Sequence, residues 1–227
     1  MLKVKLLSKF YGNHQVLYDI NLEFGKGEIH GIVGDNGAGK TTFFKCITGL
    51  ESFQGTIEYE KGILKNETGY LPTMPFYFSN MSGYEYLQLL CNARDIVVKN
   101  LNDFNLFDLP LNQYAETYST GMQKKLAITG LLIQRNEVFI LDEPFNGVDI
   151  SSNMVILDIL LRLKQLNKII VMSSHIFSSL QDSCDYLHHL KNGEIINSRT
   201  KGNFDEIETS MKKDGLSNKI LNSIYLR

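Results

Sequence analysis

The stretch GDNGAGKTT carries the clearest chemistry in the chain. It fits the pattern G-x-x-x-x-G-K-[ST], whose glycines let successive backbone N–H groups turn toward a phosphate chain. The lysine of the pattern supplies charge to the β- and γ-phosphates, and the next hydroxyl can bind Mg²⁺. The pattern therefore predicts binding of a nucleoside triphosphate with Mg²⁺, which would suit a kinase or a GTPase equally well. The candidate residues are Gly34, Asp35, Asn36, Gly37, Ala38, Gly39, Lys40, Thr41 and Thr42.

Two adjacent acids follow the apolar run in EVFILDEP, which predicts a buried parallel strand that ends at a functional edge. Asp142 is a candidate ligand of Mg²⁺, together with Thr41. Because neighbouring side chains of an extended backbone point to opposite sides, we expect Glu143 to face the attacking water as general base. His175 follows the strand-like segment KIIVMSS and is the second candidate catalytic residue, placed to hydrogen-bond the γ-phosphate.

The elements around these residues predict an α/β fold. An apolar run, Ile29 to Val33, precedes the glycine-rich turn and a helical pattern follows it, so the positive end of a helix faces the phosphates. Alternating strands and helices predict a mainly parallel sheet. We expect one domain, residues 1–227, with an inserted helical subdomain over residues 74–134 and a short polar tail over residues 201–227.

Composition limits the classes of function. The 227 residues include 23 basic and 25 acidic ones, for a net charge of −2, which provides no electrostatic reason to expect a nucleic-acid partner. Three widely spaced cysteines favour free thiols in a reducing compartment. No run approaches the length that crosses a bilayer, and the first residues do not read as a secretory signal. We expect a cytoplasmic protein whose membrane role depends on another chain.

Several motifs in order resemble those of ATP-binding cassette (ABC) ATPases. YSTGMQKKLAITGLLIQRNEVFILDEPFNGVD is similar to the run from signature motif through Walker B to D-loop. Segments on either side of this run also resemble the family: SKFYGNHQVLYDINLEFGKGEIHGIVGDNGAGKTT upstream, and VMSSH and YLHHLKNGEII downstream. The resemblance therefore covers residues 2–200. It implies a P-loop NTPase fold, with a RecA-like core and N-terminal antiparallel β-subdomain over residues 1–73 and 135–200.

The resemblance also implies roles for residues outside the phosphate loop. Tyr11 stands at the adenine-stacking position and Asp149 in the D-loop. The signature residues, which contact ATP bound to the other subunit of a homodimer or heterodimer, are Ser119, Thr120, Gly121 and Met122. Alternatively, Ser119 has a structural role as the N-cap of the helix that follows it. The two roles are compatible, because the same helix N-terminus can face a phosphate.

Three positions depart from the family pattern. Thr73 occupies the Q-loop position, where the family has a glutamine that touches Mg²⁺, and a threonine would reach the metal only through water. Thr120 replaces the first signature glycine, which would be unfavourable if φ were positive there. Tyr118 replaces a leucine.

Three functions fit a phosphate loop. The segment STGMQKKL is most similar to ATPases of two-component ABC-2 type exporters, which implies a separate transmembrane permease and a peripheral location on the inner face of the cell membrane. A soluble ABC-type ATPase without a membrane partner is the alternative, although its translation and DNA-maintenance members carry second cassettes or coiled-coil insertions. A kinase would have no need of the signature segment.

The aromatic segment PFYFSNMSGYEY, Pro75 to Tyr86, follows the Q-loop position. It contains more aromatic side chains than one small layer of helices readily buries, and aromatic residues are favoured at interfaces. We expect part of Phe76, Tyr77 and Phe78 to line a groove that receives the permease. About half of the five aromatic residues, which also include Tyr84 and Tyr86, should pack in the core of the helical subdomain.

Overall fold

The computed structural model describes residues 1–175 and 177–215, which form two β-sheets and the helices around them. The strands are β1 (Leu2–Tyr11), β2 (His14–Phe24), β3 (Glu28–Val33), β4 (Gln54–Tyr59), β5 (Thr68–Leu71), β6 (Val138–Asp142), β7 (Ile169–Ser174), β8 (Tyr186–Lys191) and β9 (Glu194–Thr200). The α-helices are α1 (Lys40–Ile47), α2 (Leu64–Glu67), α3 (Gly83–Asn92), α4 (Thr120–Ile133), α5 (Ile150–Gln165), α6 (Phe177–Gln181) and α7 (Asp205–Gly215). In these two ranges, no helix has the length and apolar character needed to cross a membrane.

The central sheet has six strands in the order β5-β6-β7-β3-β8-β9. The first five run parallel, and β9 pairs antiparallel with β8. Helix α1 packs on one face and α4, α5 and α6 pack on the other, so β6 and β7 are buried along their whole length. Parallel strands end at the same edge, so the segments that follow β3, β6 and β7 meet there. The predicted α/β fold with a mainly parallel sheet is confirmed.

A second, antiparallel sheet has the order β2-β1-β4 and packs against α1. Leu17 and Phe24 of β2 share one buried cluster with Phe43 and Phe44 of α1. This sheet is the predicted N-terminal β-subdomain. The polar segment after β4 contains the short helix α2.

The segment between β5 and β6 has its own buried cluster, which includes Leu87 of α3 and Leu126 of α4. Between α3 and α4 only two short 3₁₀ helices form, Leu101–Phe104 and Ala115–Thr117. After the first of these, the Asn105 side chain bonds to nearby backbone, and its Oδ1 accepts from the Leu109 amide at 2.9 Å. Such bonds compete with helical ones, so the inserted subdomain is less helical than predicted.

A buried pair of histidines connects β3 to β8. His30 Nδ1 lies 3.1 Å from His188 Nε2, and His188 Nδ1 lies 2.8 Å from the Ser198 hydroxyl on β9. Burial lowers the pKa of His30 to about 4 and that of His188 to about 3. Both rings are therefore neutral near pH 7 and serve as packing and hydrogen-bonding groups of the sheet.

The tail is helical from Asp205 to Gly215. The remainder of the predicted tail, residues 216–227, lies outside the described residues. Two residues of this region, Phe204 and Ile207, are buried in the cluster on the α5 side of the central sheet.

Replacement of Phe43 by alanine should lower the free energy of unfolding by about 3–5 kcal/mol, because the ring is fully buried between α1 and both sheets. Urea unfolding followed by circular dichroism measures the change. The control is Val97→Ala, at a side chain that is 92% exposed, for which a change within about 0.5 kcal/mol is expected. Equal losses in the two variants would contradict the packing described for α1.

Candidate active site

The turn from β3 into α1 is the predicted phosphate loop, and its shape requires glycine at several positions. Gly37 and Gly39 have φ values of 84° and 109°, which residues with a side chain rarely adopt. A Cβ atom on Gly34 would lie 2.1 Å from the carbonyl oxygen of Leu190 in β8. The loop is therefore held close to the sheet, and α1 begins immediately after it.

Lys40, the first residue of α1, folds its side chain back over the loop. Its ammonium group donates to the carbonyl oxygens of Gly34 at 2.6 Å and Asp35 at 3.0 Å. Burial lowers the pKa of Lys40, while the nearby carboxylates of Glu143, Asp142 and Asp35 oppose that shift. An ammonium group bonded only to neutral carbonyls keeps its positive charge available for an anion such as a phosphate.

Asp142, at the end of β6, is buried and accepts three hydrogen bonds from hydroxyl groups. Thr41 and Thr73 donate to Oδ2 at 2.6 and 2.8 Å, and Ser173 of β7 donates to Oδ1 at 2.6 Å. The carboxylate thus joins the phosphate loop, the Q-loop position and β7. Thr73 contacts Asp142 directly, so this departure from the family pattern keeps a hydroxyl at the predicted metal site.

The two acids have separate partners: the Asp142 carboxylate accepts from hydroxyl groups, whereas Glu143 Oε2 lies 2.9 Å from His175 Nδ1. The predicted reason for this separation is wrong, because the backbone of Glu143 is not extended. Strand β6 ends at Asp142, and Glu143 has φ of 55°, in the left-handed region. Such a conformation costs a non-glycine residue about 1–3 kcal/mol, which the surrounding contacts must offset.

One cavity of about 490 Å³ collects most of the predicted residues at the carboxyl edge of the central sheet. It is lined by Val16, Asn36, Gly37, Gly39, Lys40, Thr41, Thr42, Thr73, Asp142, Glu143, Asn146 and His175. Gly34, Asp35 and Ala38 belong to the same loop without lining the cavity. The arrangement combines a phosphate loop, a carboxylate with hydroxyls and a carboxylate–imidazole pair.

Two polar contributors to this site, Ser173 and Asn146, were not predicted from the sequence. Ser173 bonds to Asp142 and also accepts from the Glu143 backbone amide at 3.1 Å. Its position opposite Asp142 in the β6–β7 register was the available signal, but it requires knowledge of the strand pairing. Asn146 lines the cavity three residues after Glu143, where the turn brings it back toward the strand end.

Comparison with known proteins identifies the family. Residues 17–146 match the family described as ABC transporter. The chain belongs to this family. It is 32% identical over 243 residues to the bacitracin transport ATP-binding protein of Enterococcus faecalis, with 99% of this chain and 79% of that protein covered. It is 30% identical to the lantibiotic transport ATP-binding protein SrtF of Streptococcus pyogenes, with 86% and 89% covered.

Solved structures agree with this assignment. The structure of an ATP-binding subunit of an ABC transporter superposes with a TM-score of 0.82 at 26% identity, over 100% of both chains. A dimeric ATP-binding cassette in a post-hydrolysis state, bound to ADP and Pi, superposes with a TM-score of 0.80 at 20% identity, over 90% of this chain and 100% of that one. The resemblance to ABC ATPases is confirmed, and the chain is an ATPase subunit of the ABC transporter family.

The signature residues of this ABC subunit lie outside the cavity. The Ser119 hydroxyl caps α4 by accepting from the Met122 amide at 3.3 Å, which is the structural role predicted for this residue. A Cβ atom on Gly121 would lie 2.6 Å from the carbonyl oxygen of Gly147, so the signature helix packs closely on the D-loop. Thr120 is the first residue of α4 and its φ is not positive, so glycine is not required there.

Asp149 of the D-loop caps α5 rather than lining the cavity. Its side chain accepts from the Ser152 amide at 2.9 Å and from Lys125 of the signature helix at 2.8 Å. The hydrogen bond from Lys125 is the largest cause that lowers the pKa of Asp149. The D-loop and signature helix are therefore connected within one chain by both charge and close backbone packing.

Tyr11 also lies outside the cavity lining, at the end of β1. Its side chain is 44% exposed, and the Lys9 ammonium group lies 4.6 Å from the ring centroid. An exposed aromatic ring at the end of β1 is able to stack on a base. The adenine-stacking role of Tyr11 therefore stays a prediction.

Replacement of Tyr11 by alanine should weaken ATP and GTP binding alike, because stacking discriminates little between bases. A stacking contribution of about 1–3 kcal/mol corresponds to an increase of about 5- to 150-fold in Kd, measured by calorimetry. Tyr114→Ala, at an exposed tyrosine of the inserted subdomain, serves as the control and should bind both nucleotides normally. Unchanged nucleotide affinity in the Tyr11 variant would contradict the adenine-stacking role and leave Tyr11 as an ordinary surface residue.

Proposed function

We propose that this ABC ATPase closes as a dimer around two ATP molecules and thereby drives a separate membrane permease that exports its substrate. The observation that supports the dimer is the division of the site. Lys40, Asp142, Glu143 and His175 share one cavity, whereas the signature residues lie outside it. A second chain, identical or related, would supply its signature segment to each ATP. The dimeric cassette bound to ADP and Pi provides a precedent in the same fold.

In the proposed reaction, the backbone amides of the phosphate loop and Lys40 hold the β- and γ-phosphates. Glu143 orients a water molecule and accepts its proton as the oxygen attacks the γ-phosphorus, while the bond from that phosphorus to the β–γ bridging oxygen breaks and ADP leaves. The contact with His175 holds the Glu143 carboxylate on the cavity side, and the imidazole is placed to hydrogen-bond the γ-phosphate. Separation of Glu143 from Asp142 leaves one carboxylate for the water and one for the metal.

The residues around Asp142 fit Mg²⁺, because a carboxylate and two hydroxyls provide the hard oxygen ligands that this ion prefers. Thr41 and Asp142 would hold the ion, directly or through water, with Thr73 beside them. When bound, Mg²⁺ would neutralise charge that develops on the phosphate oxygens.

The aromatic segment after Thr73 supports a docking surface for the permease. Phe76 is 75% exposed and Phe78 is 56% exposed, and their rings pack edge to face with centroids 5.4 Å apart. Tyr77 between them is buried, and its hydroxyl donates to the carbonyl oxygen of Gln123 in α4 at 2.5 Å. The proposed surface therefore consists of Phe76 and Phe78, while Tyr77 anchors the segment to the signature helix.

Export is the direction we propose, because the signature segment resembles that of two-component exporters and two relatives are named for transport of bacitracin and a lantibiotic. In this arrangement the chain lies on the inner face of the membrane, held there by the permease. A soluble ABC ATPase is the alternative, and a tagged wild-type protein that copurifies no multi-spanning membrane protein from a detergent extract would favour it.

Replacement of Glu143 by glutamine tests the proposed chemistry and the dimer together. The amide keeps the shape of the side chain, so ATP affinity should persist while hydrolysis falls by about 10²- to 10⁴-fold. Dimers that contain ATP should then accumulate, as measured by light scattering after gel filtration. Lys40→Ala is the control and should form no such dimer, since it loses the phosphate contact. Hydrolysis by Glu143→Gln at the wild-type rate would disprove the general-base role.

Replacement of Phe76 by serine should leave basal ATP hydrolysis intact and abolish its stimulation by the permease. The matched control is Tyr18→Ser, an exposed aromatic residue on β2, which should keep both activities. Hydrolysis is compared between the isolated subunit and the reconstituted complex with its copurified permease. Full stimulation of the Phe76 variant, and of a Phe76/Phe78 double variant, would place the docking surface elsewhere.

A further inference from the structure

Among the lysines whose burial the structure describes, Lys124 in the second turn of α4 is the most deeply buried one that has no role in the mechanism above, with an exposure of 1%. Its ammonium group donates to the backbone carbonyl oxygens of Glu143 and, at 2.8 Å, of Asn146. Both partners are main-chain carbonyls rather than carboxylates. The side chain thus connects the signature helix to the turn that follows Walker B.

A charge in this position is unfavourable for stability by itself. Burial of an ammonium group without a directly bonded carboxylate is costly, and an apolar side chain of similar volume would fill the space at lower cost. Burial lowers the pKa of Lys124 to about 8, although the nearby charges of Glu143 and Asp142 oppose that shift. The presence of this buried charge is therefore better explained by the backbone segment that Lys124 binds than by a contribution to stability.

The turn that Lys124 holds includes the left-handed backbone of Glu143. The Asn146 amide donates to the Glu143 carbonyl oxygen at 3.2 Å and closes the turn, and Lys124 binds the carbonyls of both residues. On the other side of Glu143, its amide donates to Ser173. Backbone contacts on both sides of one residue fix its φ and hence the direction of its side chain.

We propose that Lys124 is a positioning residue for hydrolysis, which fixes the backbone of Glu143 and couples the start of the signature helix to the orientation of that carboxylate. The inference rests on the proposed role of Glu143. A shift of α4 would move the Lys124 ammonium group and, through it, the Glu143 carbonyl. Small displacements of a catalytic group are enough to slow a reaction by about 10²-fold.

The test uses Lys124→Met, which keeps the length of the side chain and removes the charge and the hydrogen bonds. In the full-length protein, kcat for ATP hydrolysis should fall by about 10- to 100-fold. The KM and the calorimetric affinity for ATP should stay within a factor of two, because the phosphate loop is untouched. Lys168→Met is the matched control: it also removes a partly buried ammonium group, from Glu137, and should lower the thermal midpoint while leaving kcat unchanged.

A double-mutant cycle with Glu143→Gln separates positioning from general loss of structure. If Lys124 acts through the Glu143 carboxylate, the methionine variant should reduce the residual hydrolysis of Glu143→Gln by less than a factor of two. Loss by the same 10- to 100-fold in both backgrounds, or an equal loss of ATP affinity and kcat, would overturn the proposal.

Two further outcomes are distinguishable. Wild-type hydrolysis by Glu143→Gln alone would refute the proposed general base and, with it, the basis of this inference. Wild-type kcat in Lys124→Met, with Glu143→Gln inactive, would refute only the role of Lys124. Where Lys124→Met does not fold, the same cycle is measured with Lys124→Gln, which can still donate one hydrogen bond and should show a smaller loss of kcat.

Discussion

The buried carboxylate of Asp142 is the interaction on which the geometry of the site depends. Three hydroxyl groups, from α1, from the segment after β5 and from β7, all donate to it. Each hydroxyl belongs to an element distant in sequence, so their common acceptor sets the separation between phosphate loop and neighbouring strands. An apolar residue at this position would leave these hydroxyl donors without their acceptor, at a cost of about 1–3 kcal/mol for each one that is buried.

The second acid shows a different physical solution. Glu143 follows Asp142 directly in sequence, yet the two carboxylates have different proposed roles, one toward water and one toward Mg²⁺. Strand β6 ends at Asp142, so the alternation of side chains along a strand does not extend to Glu143. A left-handed residue achieves the separation, and the Ser173 hydroxyl and Lys124 ammonium hold it there. Strain at the reacting group is thus balanced by polar contacts that come from a strand and from the signature helix.

The predictable part of the site consists of residues whose role is set by local context. The glycines and Lys40 follow a strand and start a helix, and Asp142 ends an apolar run, so short segments were sufficient to assign them. Ser173 and Lys124 depend on strand register and on helix placement, which no short segment specifies. The same limit explains why the burial of Tyr77 between two exposed phenylalanines could not be predicted from the aromatic segment. The sequence pattern between α3 and α4 also did not reveal the hydrogen bonds from asparagine side chains to nearby backbone, which compete with helix formation there.

The order of the central sheet has a consequence for how the enzyme is made. Strand β3, which carries the phosphate loop, lies between β7 and β8, and both of these come from the later half of the sequence. During synthesis the phosphate loop therefore leaves the ribosome long before the strands that support it. Its shape also depends on contact with Leu190 of β8. A growing chain therefore cannot surround the phosphate loop with these contacts until β8 has emerged and docked.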